Sequence, residues 1–312
     1  MKRRLGLVVR VLGTAAALAW IATHVDLGDA RDKLVAIPAA TFALAVALVA
    51  ANVVAGAVRW RVLLRAYGAT QIPGLPTLVR LYFVAFFYNN YLPGAVAGDV
   101  GRGVVTRDAF ADEGATGALA VVLVERALGL FGLFALLAVG LVATPDVADR
   151  GTLWGWTALG TAFSAALVVA IPLARRIGPR LPARPRVVAK LASIAGKLPA
   201  LRDGRAFAGA IALSVATQAL VAAAGWVLLA ALAPIGPAAS LLVVPLAAAT
   251  TFLPITVGGA GAREGVYIGL CGQLFGMPRA DALAASLGLW LAHLAVGAAG
   301  GVAQLARPRN PA

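Results

Sequence analysis

Arginine–carboxylate pairs recur beside apolar sequence in this chain. Asp99 and Arg102 stand three residues apart, and Glu125-Arg126 and Arg263-Glu264 are adjacent pairs. A guanidinium presents a planar fork of donors that matches phosphate or carboxylate. The chemistry these residue types offer is therefore anion recognition, with the acids orienting the arginines or meeting a cationic part of the same ligand. The plainer alternative is that they pair with one another, or sit near an interface and only hold the chain. Catalytic patterns are absent: there is no Walker loop, no His-Glu-x-x-His and no nucleotide-binding strand–helix unit. The expectation is a non-enzymatic protein with no cofactor, and ATP-driven pumping would need a partner to supply the motor. Cys271 is the one cysteine, so neither an internal disulfide nor a thiolate metal centre can form. Two histidines, His24 and His293, are too few for a histidine cluster. His293, with Trp290 nearby, reads as a hydrogen-bonded histidine, with proton coupling as the sharper alternative.

The elements that position these groups follow from composition. Of 312 residues, 61% are hydrophobic and only 13% charged, with a mean hydropathy of +0.88. A soluble domain is roughly half apolar and a quarter charged, so this chain is a polytopic membrane protein. Its long apolar runs are those of helices, without the alternation of an outer-membrane barrel. The net charge of +14 would point to nucleic acid in a soluble protein. Here the basic residues flank apolar spans, as the positive-inside rule describes, and no nucleic-acid partner is expected.

Apolar stretches lie at roughly 38–58, 78–92, 117–143, 152–174, 206–233, 239–253, 265–277 and 281–306, after an N-terminal run over 1–23. That first run has the outline of a signal peptide. Arg10 interrupts it, and the symmetry described below requires it as a retained helix. The polar segment 175–205 carries nine basic residues and one acid, Asp203, which places it in the cytoplasm. Propagating sides from there puts the loops around Asp26–Asp32 and Asp146–Arg150 outside, and both termini inside. Arg59-Trp60-Arg61 and Arg65 then fall at the cytoplasmic boundary as interfacial anchors or anionic-lipid contacts. Thr217 and Gln218 read as hydrogen-bonding links between helices.

The same parity requires residues 59–116 to enter and leave on the cytoplasmic side, and 239–278 to start and finish outside. Neither segment has two full spans: a 14-residue helix reaches about 21 Å against a hydrocarbon core of about 30 Å. Each is expected to be a re-entrant hairpin, the two entering from opposite faces. Their turns match: Leu92-Pro93 through Val96, Gly98 and Arg102 fall in register with Leu253-Pro254 through Val257, Gly259 and Arg263. Pro93, Gly94, Gly98, Pro254, Gly258, Gly259 and Gly261 are the expected turn residues. The fold class is thus all-α, a single membrane domain over 1–312 with about six full transmembrane helices plus two hairpins. Its inverted repeat units are about 1–143 and 152–306, the organisation of secondary transporters. Asp99, Arg102, Glu125, Arg126, Arg263 and Glu264 are the candidate substrate-binding residues, and Tyr82, Tyr88, Tyr91 and Asn89–Asn90 either headgroup contacts or packing.

Asn90-Tyr91-Leu92-Pro93-Gly94 through Gly98-Asp99 and Arg102 resembles the first signature of the lysylphosphatidylglycerol synthase transmembrane family, the flippase-like membrane proteins. Glu125-Arg126 is similar to its Glu-Arg pair, and Leu253-Pro254 through Gly258-Gly259, Gly261 and Arg263-Glu264 to its second signature. Ala97 departs from it, standing where the family has the first of two glycines. The resemblance implies a domain of the bacterial or archaeal cytoplasmic (inner) membrane that moves an anionic or aminoacylated phospholipid, or a related lipid, between leaflets. Fused members carry an aminoacyl-transferase domain that these residues lack, so this chain is expected to move lipid rather than synthesise it. Two rival expectations are a membrane subunit presenting lipid to a separate lipid-modifying enzyme, and a membrane-embedded enzyme using Asp99 or Glu264 as base.

Overall fold

A computed structural model describes residues 2–92, 96–180, 186–252 and 256–305. All regular structure among them is helical. In chain order the helices are α1 (Lys2–His24), α2 (Leu27–Ala36), α3 (Ala39–Ala66), α4 (Leu75–Tyr91), α5 (Ala97–Val105), α6 (Gly114–Ala143), α7 (Arg150–Ile177), α8 (Arg186–Gly196), α9 (Gly204–Ala230), α10 (Pro237–Ala249), α11 (Ala262–Phe275) and α12 (Arg279–Leu305). Five of them, α3, α6, α7, α9 and α12, are long and apolar enough to cross a membrane. The bent pair α1–α2, at 87°, makes a sixth if it is one span. The all-α polytopic architecture is as expected.

Local sequence sets the boundaries. Asp26 caps α2 by accepting from the N–H groups of Gly28 (2.8 Å) and Asp29 (3.0 Å). Asp203 caps α9 in the same way, from Arg205 (2.9 Å) and Ala206 (3.0 Å). Prolines stand in the first turns of α4 and α10, where their missing N–H is no loss. Two segments read as polar loops contain helices. The aspartate-rich stretch after α1 is α2, and the basic segment 175–205 contains α8.

The α3 and α9 helices pack along each other at the centre. The α4 helix lies on α12 and the α10 helix on α6, while α4–α5 and α10–α11 are paired through short connections. One apolar core gathers Val49 and Val53 of α3, Leu228 and Leu229 of α9, and Leu283 and Leu289 of α12. A second surrounds Trp60, Leu63 and Leu64 at the far end of α3. At 1.5 Å per residue α4, α5, α10 and α11 are about 26, 14, 20 and 21 Å long, short of the roughly 30 Å of a hydrocarbon core.

Gly98 was expected in a turn but is the second residue of α5. Its role there is close approach, since a Cβ at Gly98 would lie 2.0 Å from the carbonyl oxygen of Ala85 in α4. Backbone meets backbone at this crossing, so no side-chain rotation relieves a clash. We predict that Gly98→Ala lowers the thermal transition in detergent by an overpacking cost of about 1–3 kcal/mol. Gly101→Ala, with nothing within 4 Å, should be neutral or slightly stabilising. Equal transition temperatures for the two variants would refute the crossing as described.

Candidate functional site

Glu125 is the centre of the polar interior. It sits in the middle of α6, 1% exposed, and each of its oxygens holds a different helix. Oε1 accepts from Arg59 Nη2 of α3 at 2.9 Å and from the Tyr82 hydroxyl of α4 at 2.7 Å. Oε2 accepts from Arg102 Nη1 of α5 at 2.6 Å. Arg59 reaches further with Nη1, which donates to Thr217 Oγ1 (3.1 Å) and Ser214 Oγ (3.3 Å) of α9. Arg102 Nε donates to Asp99 Oδ1 at 2.9 Å, one helical turn back. Its guanidinium carbon lies 4.8 Å from the Trp60 ring centroid and 4.6 Å from that of Tyr82, within cation–π range.

Glu125 and Arg126 are successive on α6 and so point about 100° apart. Arg126 therefore turns away from its neighbour and joins the network through α5, its Nε donating to Asp99 Oδ2 at 2.6 Å. Asp99 is shared by two arginines and Glu125 by two. Three guanidiniums against two carboxylates leave this cluster one unit positive. On the other side, Arg263 pairs with Glu264 at the start of α11, with Nε 3.0 Å from Oε1. Glu264 Oε2 accepts the Gly261 N–H at 2.7 Å, satisfying a free amide of the helix start.

All six sequence-predicted binding residues, Asp99, Arg102, Glu125, Arg126, Arg263 and Glu264, line one cavity of about 840 Å3. They do not share it equally. Arg102 is 4% exposed, with two carboxylates on its edge and two aromatic rings beside it. The Arg126 and Arg263 side chains are 29% and 18% exposed, and these two present guanidinium surface to the cavity. Asp99, Glu125 and Glu264 hold arginines in place.

Of the expected turn residues, Pro93, Gly94 and Pro254 lie outside the described residues. Gly258, Gly259 and Gly261 form the second turn, with φ of 63°, 82° and 81°, a region that favours glycine. His293 lines the cavity wall. Its Nδ1 is 2.7 Å from the Leu289 carbonyl oxygen and its ring stacks on Phe86. Thr217 and Gln218 bridge helices as expected, Gln218 donating to the Gly129 carbonyl at 3.2 Å. No group of three His, Cys, Asp or Glu able to hold a metal ion occurs among the described residues.

Arg59 was read as an interfacial anchor, and the structure buries it, 7% exposed, at the base of this network. The apolar run ends near residue 58, but α3 continues to Ala66. Arg59 therefore lies two turns inside the helix, as the basic and aromatic sequence beyond it, through Arg65 and Tyr67, could have indicated. Tyr82 was left between headgroup contact and packing. Its hydroxyl is a ligand of Glu125.

Over residues 6–301 the sequence matches the lysylphosphatidylglycerol synthase TM region family. The chain belongs to that family. No curated protein shows significant similarity to it. As a lysylphosphatidylglycerol synthase TM-region protein it is a multi-span membrane protein with a role tied to membrane lipids.

Removing one partner of a buried ion pair leaves an uncompensated charge, at a cost of about 3–5 kcal/mol. Glu125→Gln strands Arg59 and Arg102 together. Its transition temperature in detergent should fall well below those of wild type and of Glu125→Asp, which keeps the charge. A Gln variant as stable as wild type would show that the network does not hold these helices.

Proposed function

We propose that this protein is a lipid transporter that moves a phospholipid with an anionic or aminoacylated headgroup, or a related lipid, between membrane leaflets, without catalysing a reaction on it. The observation that carries this reading is one cavity lined by arginines from both parts of the chain, Arg59, Arg102 and Arg126 with Arg263. Four arginines and three carboxylates line it, an excess of one positive charge among the described residues. A phosphodiester carries one negative charge. Arg126 from one half and Arg263 from the other bind it, while Asp99, Glu125 and Glu264 orient the guanidiniums or meet a cationic substituent. The barrier to flipping is headgroup desolvation, and preorganised arginines replace water there.

The halves 1–143 and 152–306 are inverted repeats in this reading, with α4–α5 and α10–α11 as re-entrant hairpins in the inner membrane. The termini and the basic segment 175–205 are cytoplasmic. Helix packing supports it. Exchanging α3, α4, α5 and α6 with α9, α10, α11 and α12 respectively maps every packed pair among these eight helices onto another packed pair. Short arms ending inside lipid need polar partners for their free backbone groups, and the Glu264–Gly261 bond is one such partnership. Rocking of one unit against the other around the shared cavity provides alternating access.

The test is flipping in proteoliposomes of phosphatidylglycerol, its lysylated form and phosphatidylcholine, each headgroup-accessible to an impermeant quencher. Wild type should flip an anionic or aminoacylated lipid faster than the zwitterionic one. Arg126→Gln and Arg263→Gln, monodisperse in detergent, should each lower that rate tenfold or more. Unchanged rates in both variants would remove these arginines from the transport site.

A further inference from the structure

We propose that α1 is a lateral gate through which the acyl chains of the bound lipid leave the cavity. This rests on the lipid-transport reading and adds the route for the tails. A headgroup held between Arg126 and Arg263 is tethered to chains that must lie in hydrocarbon, so the cavity needs an apolar side opening. The region between α1 and α12 supplies it. Leu18 and Ile21 of α1 line the cavity from one side, and Leu287 and Trp290 of α12 from the other. The cavity also reaches Tyr91, Leu92 and Phe252, large apolar side chains that, with Leu18 and Trp290, are exposed in the protein. The charged interior is therefore continuous with an apolar rim, the division an amphiphile has.

The attachment of α1 suits a moving part. From Arg10 onward its residues are mostly exposed, and it seats on the second turn through Thr14 and Ala17, with Ile21 on the same face in the core. Thr14 Oγ1 accepts the Val257 N–H at 2.8 Å. Ala17 packs so close to Gly261 that a Cβ there would lie 2.5 Å from its own. Ile21 is buried. Beyond the 87° bend, by contrast, α2 is fixed. Ala30 and Ile37 are in the core, Lys33 pairs with Asp281 at 3.5 Å, and Arg279 donates to the His24 carbonyl at 3.2 Å. The bend at Val25-Asp26 is thus the pivot. Below it, among the described residues, one hydrogen bond from the Val257 amide to the Thr14 hydroxyl, a small-residue contact and the buried Ile21 hold α1 beside the turn that presents Arg263.

The experiment staples the seat. Thr14→Cys with Val257→Cys, in a Cys271→Ala background, is oxidised to lock α1 and reduced to free it. Two readouts are taken in vesicles: flipping, and photocrosslinking of phosphatidylglycerol carrying a diazirine near the head of one acyl chain. Leu283 and Leu289 line the cavity but are buried, so a chain reaches them only through the opening. Crosslinks at these residues should form in the reduced protein and fall at least tenfold on locking, returning with dithiothreitol. The single Thr14→Cys variant should be insensitive to oxidant. Crosslinks unaffected by locking, or absent from these residues in the reduced protein, would overturn the gate. Flipping is scored separately: lock-sensitive crosslinks without flipping would retain the portal and remove the transport reading.

Discussion

A carboxylate with 1% exposure in the middle of a 30-residue apolar helix is the constraint around which this molecule is arranged. Leaving Glu125 unpaired in a low-dielectric interior would be prohibitive, so α6 brings basic groups with it. Arg59 arrives from α3, Arg102 from α5 and the Tyr82 hydroxyl from α4. Arg59 in turn reaches α9 through Ser214 and Thr217. Four helices meet at one side chain, and α9 joins them through Arg59, because its charge must be satisfied. In lipid, where apolar packing between helices gains little over packing against acyl chains, such a network also specifies which helices meet. The short α5 illustrates this. With nine residues it has little apolar area, and it is located by the Gly98 crossing and by Asp99 and Arg102.

The architecture was legible because its cause is crude. Hydrocarbon thickness fixes how long a spanning helix must be, and the arms expected at 78–92, 239–253 and 265–277 fall short of it, as α4, α10 and α11 do. The pairs Asp99–Arg102, Glu125-Arg126 and Arg263-Glu264 stood out because charge is rare in so apolar a chain. Less legible was the division of labour among the arginines. Arg102 and Arg126 look equivalent in sequence, and only the 100° step from Glu125 to Arg126 separates the buried network from the cavity surface. Arg59 escaped because the apolar run stops before the helix does. Gly98 looked like a turn residue because a glycine required by close approach and one required by a positive φ are the same letter.

In the inverted-repeat reading, the eight helices that map onto one another leave out α1 and α2 of one unit and α7 and α8 of the other, and there the correspondence fails. The α1 helix seats on α11, whereas α7 packs along α6. Charge is unequal in the complementary sense. The uncompensated positive charge belongs to the α5–α6 cluster, while Arg263 at the α1 seat is balanced by Glu264. In the proposed transport reading, a headgroup anion is held chiefly by the cluster that α1 does not touch. In the gate we propose, lifting α1 from its turn opens a path for the chains without removing the charge that binds the head, the separation of tasks that moving an amphiphile requires.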